Sequence, residues 1–205
     1  MERFDLKRTL PDYFKASKSE FAVVKFPKFN YLMVDGNGDP NTSSQYTEAI
    51  ELLYGASYTL KFQVKSELKM DYVVPPLEGL WWAEDMGTFK TREKSKWNWT
   101  MMIMVPNGIN KTQVTKAIKS FKGKKPNADI SKLRFGYLLE GVSVQILHVG
   151  PYDAEGPVLA RMHEDFMPKN KYKFNGIHHE IYLSDPRKTS PEKLKTILRQ
   201  PVKKF

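Results

Sequence analysis

The sequence contains no cysteine among its 205 residues. Disulfide bonds, thiolate zinc sites and a cysteine nucleophile are therefore excluded together. A chain without cysteine suits a reducing compartment. This absence favours a cytoplasmic protein over a secreted, disulfide-stabilised one.

Long apolar runs are also missing. No stretch approaches the roughly 18 residues that a membrane span requires. The N-terminal sequence MERFDLKRTLPDYFKASKSEF has mixed charge and no apolar core, so it does not resemble a secretory signal. We expect a cytoplasmic location and no membrane partner.

Several motifs that carry chemistry in other proteins do not occur. No serine lies in a Gly-x-Ser-x-Gly context, which disfavours a serine hydrolase. The turn Gly36-Asn37-Gly38 lacks the further glycine and the Lys-Ser/Thr of phosphate-binding loops. The rings of the adjacent His178 and His179 point to opposite faces of a strand, and His148 and His163 have no ligand-spaced partner. The sequence predicts no metal site and no cofactor.

Basic residues are in excess, with 33 Lys and Arg against 23 Asp and Glu, a formal net charge of +10. Many of them lie in NKTQVTKAIKSFKGKKPN, MPKNKYKFN and the tail RQPVKKF. No helix-turn-helix, zinc-finger spacing or RNP-like aromatic strand accompanies these lysines. We interpret them as solvated faces and loops, with contact to nucleic acid as the alternative.

The remaining composition, 40% hydrophobic and 27% charged, is typical of a globular chain. Strand and helix patterns alternate along it. In the first half they predict a strand at Tyr31 to Val34, a long helix over 39–67, strands near 79–83 and 96–104, and a helix over 110–121. In the second half they predict a strand over 142–149, a Gly150-Pro151 turn, a helix over 155–166, a strand over 178–183 and a C-terminal helix over about 190–200.

Both halves follow the order strand, glycine turn, helix, strand. This repeat predicts a single domain over 1–205, with module one at about 20–125, module two at about 130–188 and the C-terminal helix at about 190–200. We expect an α+β fold built as a tandem pseudo-twofold repeat, with mainly antiparallel sheets and helices on one face. The free faces of two such sheets would enclose a ligand cleft.

One carboxylate stands out in the strand HHEIYL. Period-two geometry places His178, Glu180 and Tyr182 on one face and His179 with Ile181 on the other. Glu180 either faces water or faces a cavity. In an aromatic cavity it would attract cations and serve as a general acid or base.

All four tryptophans fall on two neighbouring strand candidates. Trp81 and Trp82 are on opposite faces of the first, whereas Trp97 and Trp99 share a face of the second. They are either core packing or the walls of an aromatic pocket.

The segments LHVGPYDAEGPVLARMHEDF and GIHHEIYLSDPRKTSPEKLKTILRQPVK resemble the GyrI-like small-molecule-binding superfamily. PPLEGLWW and KWNWTMMIMVP resemble a stand-alone bacterial subfamily, and the likeness extends over residues 20–201. It implies tandem strand–helix–strand–strand (SHS2) modules with a ligand cleft between them. It also implies a pocket carboxylate on the last core strand, where Glu180 matches.

In the multidrug-response regulators of this superfamily, that carboxylate faces bulky aromatic drugs that are often cationic. Stand-alone members include hydrolases of cyclopropanoid, DNA-alkylating natural products, a form of xenobiotic detoxification. The resemblance therefore implies a binder of bulky aromatic or cationic small molecules, with Glu180 as general base if ring-opening hydrolysis occurs. The alternatives are a non-catalytic multidrug-binding or effector-sensing module and a gyrase-interacting protein.

The candidate site residues follow from the resemblance and from strand phase. Glu180 is the candidate base, and a hydroxyl from Tyr152 or Tyr137 would hydrogen-bond a ligand carbonyl. The predicted ligand contacts are Trp82, Trp97, Trp99, Tyr137, Tyr182 and His178. The partner is expected to be a small molecule, and the protein a monomer or weak homodimer.

Overall fold

The structure, a computed structural model, describes residues 3–205. Its strands are β1 (Arg3–Phe4), β2 (Ala22–Phe26), β3 (Phe29–Asn37), β4 (Asp71–Tyr72), β5 (Leu77–Trp82), β6 (Asn98–Val105), β7 (Arg134–Leu138), β8 (Gly141–Val149), β9 (Tyr172–Phe174), β10 (His178–Tyr182) and β11 (Lys195–Lys204). Its α-helices are α1 (Leu6–Thr9), α2 (Pro11–Phe14), α3 (Ser44–Glu67), α4 (Gly87–Thr91), α5 (Lys111–Lys124), α6 (Gly156–Ala160) and α7 (Met167–Lys169). A π-helical segment, Arg161–Phe166, joins the last two.

The chain forms two compact units. The first consists of Phe29–Pro75 and Ala83–Leu138 with the N-terminal residues up to Thr9, and the second of Leu10–Lys28, Pro76–Trp82 and Leu139–Phe205. The second unit thus takes two segments from the first half of the chain, which the repeat did not predict. The twofold relation of the modules and the cleft between them remain predictions.

The first unit contains an antiparallel sheet in the order β6–β3–β7. The long helix α3 packs on β3 and β6 and against α5. Asn110 caps α5, because its side chain accepts from the Gln113 backbone while the Gln113 side chain accepts from the Asn110 backbone. Gly55 of α3 lies against Phe121, whose Cε2 would be 2.3 Å from a Cβ at that position.

The second unit contains an antiparallel sheet in the order β2–β8–β11–β10–β5, with β9 pairing with the end of β11. The α6–π–α7 segment contributes Met162 and Met167 to a core with Val144, Ile146 and Leu198. The α+β class and the mainly antiparallel pairing are confirmed. Among residues 3–205, no helix is long and apolar enough to cross a bilayer.

The predicted C-terminal helix is wrong. Pro191–Lys193 forms one 3-10 turn, and the chain then continues as β11, a central strand between β8 and β10. The β-branched Thr196 and Ile197 favour this conformation, and residues 196–202 are all buried because the strand is covered on both faces. Pro201 is tolerated because it lies between the Arg199–His179 and Val202–Phe174 pairs, where pairing passes from β10 to β9.

Candidate functional site

Strand β10 places Glu180 beside residues of β5. His178 pairs with Trp81, and Glu180 pairs with Gly79, so the Trp81 side chain shares the face of His178, Glu180 and Tyr182. Gly79 has no side chain, so β5 does not cover the carboxylate from that direction. The strand phase predicted for Glu180 therefore produces a cluster of polar and aromatic groups on one face.

A chain of hydrogen bonds fixes this carboxylate. The Trp81 indole Nε1 donates to the Tyr182 hydroxyl oxygen at 2.8 Å, and the Tyr182 hydroxyl donates to Glu180 Oε2 at 2.7 Å. The other carboxylate oxygen, Oε1, lies 3.4 Å from His178 Nε2. The Glu180 side chain is 13% exposed, so it is held in one orientation and is only partly open to solvent.

Two further rings, those of Tyr152 and His163, contact the cluster. Tyr152 meets the Tyr182 ring edge-on with centroids 5.6 Å apart. Tyr152 opens a 3-10 turn two residues after Gly150, whose φ of 147° suits glycine. His163, from the π-helical segment, meets the rings of Phe174 and His178 edge-on, with centroids 5.0 Å and 6.3 Å away. The structure thus brings four predicted site residues together: His178, Glu180, Tyr182 and Tyr152.

The other four predicted ligand contacts each have surroundings of their own. Trp82 ends β5 and is partly exposed, on the face opposite to Trp81. Trp97 and Trp99 belong to the first unit, where Trp97 stacks on Phe89 at 4.5 Å and Trp99 is fully buried. Tyr137, on β7 of that unit, is 65% exposed. Their role as ligand contacts remains a prediction.

Trp99 has a clear packing role. Its ring lies on Gly36, where a Cβ would be 2.2 Å from the ring, and it meets Tyr46 edge-on at 5.3 Å. Gly36 was predicted only as part of a turn. The structure shows that a glycine there also leaves room for the indole.

Sequence reasoning did not select Trp81 as a site residue. It recognised that Trp81 and Trp82 face opposite ways but could not decide which one shares the face of Glu180. The pairing of His178 with Trp81 decides this, and strand register is a long-range property that one sequence does not supply.

The opposite face of β10 carries a buried ionic network that was also missed. His179 Nε2 lies 2.9 Å from Glu78 Oε2, and its Nδ1 lies 2.9 Å from Glu140 Oε1. Arg199 Nη1 donates to the other oxygen of Glu140 at 3.0 Å. The Tyr13 hydroxyl donates to Glu78 at 2.6 Å. All five residues are buried, so the network ties β5, β10, β11 and α2 together behind the site.

The attraction between opposite charges in this network offsets the cost of burying the charged side chains. Burial opposes a charge on His179, but the carboxylates of Glu140 and Glu78 outweigh it and raise the pKa of His179 to about 9. Burial likewise opposes a charge on Glu140, but His179 and Arg199 hold its pKa at about 2. Arg199 also stacks over the rings of Tyr13 and Phe26, each at 4.2 Å. We interpret the network as a rigid support for the strand that carries Glu180.

The Glu180 cluster has the elements of a binding and proton-transfer site. A carboxylate with one oxygen fixed by Tyr182 presents the other oxygen to a cation or to a water molecule. Aromatic rings beside it offer flat apolar surface and cation–π contacts. Within residues 3–205, no group of three or more His, Asp or Glu side chains is arranged as metal ligands are.

Solved structures from Listeria innocua are similar to the whole chain. One, described as an uncharacterized conserved protein, shares 37% identity with a TM-score of 0.89 and covers 98% of this chain and 100% of its own. A protein named a hydrolase shares 36% identity with a TM-score of 0.87 and the same coverage. Another hydrolase from the same organism shares 35% identity with a TM-score of 0.84, again with 98% and 100% coverage.

More distant structures share only the fold. The C-terminal domain of EcmrR is 14% identical with a TM-score of 0.55 and covers 91% of this chain and 98% of its own. Among curated proteins, none matches the sequence. The model of the GyrI-like small molecule binding domain matches residues 19–203. This match covers nearly the whole chain, so the protein belongs to the GyrI-like small-molecule-binding domain family.

Proposed function

We propose that the Glu180 cluster binds bulky aromatic small molecules, cationic ones included, and hydrolyses electrophilic cyclopropanoids among them. The observation that carries this proposal is the hydrogen-bonded arrangement of Trp81, Tyr182 and Glu180 on one partly exposed face of β10. The two Listeria proteins named hydrolases, which are 35% and 36% identical over nearly the whole chain, support it.

The chemistry needs one base and one hydrogen-bond donor. Glu180 takes a proton from water, and the water oxygen bonds to the strained ring carbon. The carbon–carbon bond of the cyclopropane breaks, and its electron pair moves onto a conjugated carbonyl. The Tyr152 hydroxyl donates a hydrogen bond to that carbonyl oxygen, which finally takes the proton held by Glu180. Substrate and water give one ring-opened alcohol, so no cofactor is consumed.

The hydrogen bond from Tyr182 fixes the orientation of the Glu180 carboxylate. A positioned general base contributes about 100-fold or more to a reaction rate. The same carboxylate, acting without proton transfer, would attract a cationic ligand. Binding and hydrolysis therefore use one group, and one substitution separates them.

The test compares wild type with Glu180→Gln on a dienone that carries a fused cyclopropane, following ring opening by absorbance. The glutamine keeps the size of the side chain and removes its charge and basicity. We expect the turnover rate to fall about 100-fold or more, with the affinity for the neutral dienone retained. The matched control is Glu20→Gln, at an exposed position of the second unit, which should leave turnover unchanged.

Two results would contradict the proposal in different ways. Stoichiometric binding of the dienone without turnover in wild type would leave a binding module and remove the hydrolase. Failure of aromatic cations to quench tryptophan fluorescence in wild type would remove the aromatic binding site itself.

A further inference from the structure

An aromatic stripe runs along the outer face of α3. With 3.6 residues per turn, Glu51, Tyr54, Tyr58, Phe62 and Lys65 align along one side of this helix. Tyr58 is 47% exposed and Phe62 is 62% exposed. The Tyr54 and Tyr58 rings stack at 6.4 Å. The stripe is thus an ordered apolar surface, flanked by one acidic and one basic residue.

The stripe lies on the side of α3 away from the core of its unit. The buried residues Leu53, Leu60 and Val64 occupy the opposite side of the helix, toward the sheet. Gly55, on one flank, is the contact point for Phe121 of α5. Large aromatic side chains grouped at the surface are typical of protein interaction sites.

We infer that this stripe is the interface of a homodimer, with a twofold axis passing beside Tyr58. Glu51 and Lys65 are equally far from Tyr58 along the helix, and so are Tyr54 and Phe62. Two antiparallel copies of α3 related by such an axis therefore pair Tyr58 with itself and Tyr54 with Phe62. Interfaces of this kind use the same patch on both subunits.

Charge complementarity favours this arrangement over the parallel one. Across the antiparallel pair, Glu51 of each copy meets Lys65 of the other, whereas a parallel pair would place like charges together. Lys65 already donates to Asp71 Oδ2 at 2.6 Å within its own unit. An ammonium group has three donors, so Lys65 can bind both carboxylates.

The stripe suits a modest, concentration-dependent dimer. From Glu51 to Lys65 it spans about 21 Å at 1.5 Å per residue. Helices that cross at about 20° stay in contact over such a length. One helix face from each copy buries less area than a permanent dimer requires, so the two copies should exchange readily.

Single cysteine substitutions test the position of the proposed twofold axis directly, because the chain contains no cysteine. Under mild oxidation, Tyr58→Cys should form a disulfide-linked dimer much faster than Ser120→Cys, an exposed control on α5. Tyr54→Cys and Phe62→Cys should cross-link with each other when mixed, and neither should cross-link with itself. Two copies of residue 54 would be too far apart across the axis for a disulfide.

Sedimentation velocity provides the second readout. Wild type should sediment faster as concentration rises, and Tyr58→Asp should remain monomeric because it places like charges at the axis. The side chain is exposed, so circular dichroism and the unfolding midpoint should match wild type. The inference is overturned if wild type stays monomeric, if Tyr58→Asp associates as wild type does, or if Tyr58→Cys cross-links no faster than Ser120→Cys.

Discussion

At the scale of single residues, His179 and Glu180 show how one strand separates support from function. They are adjacent in sequence, and β10 points them to opposite faces. His179 is fully buried between Glu78 and Glu140, while Glu180 lies on a partly exposed face beside Tyr182. The ions behind β10 hold in place the strand that carries Glu180 and the aromatic groups of the proposed site.

The buried imidazole makes stability depend on pH in a predictable direction. The pKa of His179 is raised from 6.5 to about 9, mainly because the nearby carboxylates of Glu140 and Glu78 outweigh the cost of its burial. A raised pKa stabilises the fold fully below pH 6.5, and the gain is lost as pH rises through 9. We expect the free energy of unfolding to fall by roughly 3 kcal/mol across this window.

Urea unfolding at a series of pH values measures this loss. His179→Gln cannot carry the charge, so its unfolding free energy should be lower than that of wild type at pH 6.5 and nearly constant up to pH 9. His148→Gln removes a buried histidine outside the network and should retain the wild-type fall. A fall in His179→Gln as steep as in wild type would show that the titrating group lies elsewhere.

At the scale of elements, local sequence patterns correctly predicted the features that depend only on nearby residues. The helices α3 and α5 and the phase of β10 all depend on neighbours within a few residues. The segment β11 depends on distant partners instead, and there the local pattern predicted a helix over about 190–200 where the chain forms a sheet strand. The ionic network was missed for the same reason, since its members lie far apart in sequence.

The contact between α3 and α5 gives a second prediction. Gly55→Ala would place a Cβ 2.3 Å from Phe121, so the two helices must separate or the ring must rotate. We expect a loss of about 1–3 kcal/mol in the free energy of unfolding, despite the better helix propensity of alanine.

Gly123→Ala is the matched control within the same pair of helices. Gly123 is in α5 with nothing within 4 Å of an added Cβ, so alanine should stabilise the protein by about 0.5–1 kcal/mol. Chemical denaturation of both variants measures the contrast. Equal stabilisation by the two alanines would mean that α3 and α5 do not pack at Gly55.

At the scale of the whole molecule, the net charge of the protein and the charge at the proposed ligand site have opposite signs. The chain carries a net charge of +10, and the exposed lysines of α5 contribute to it. The proposed ligand site instead presents a carboxylate, Glu180. The net positive charge therefore repels a cationic ligand at long range, and Glu180 attracts it only at short range. A neutral aromatic ligand experiences neither force.

The opposite signs of the net charge and of Glu180 determine whether added salt raises or lowers the association rate of a ligand. The Debye length falls from about 30 Å at 0.01 M salt to about 10 Å at 0.1 M, so added salt removes the long-range repulsion before it weakens contacts at Glu180. Stopped-flow quenching of tryptophan fluorescence should show the association rate of an aromatic cation rising severalfold over this range. A neutral aromatic of similar shape, the control, should bind at a constant rate. An association rate that falls with salt for the cation would mean that the charge of Glu180, and not the net charge of the molecule, controls the approach of the ligand.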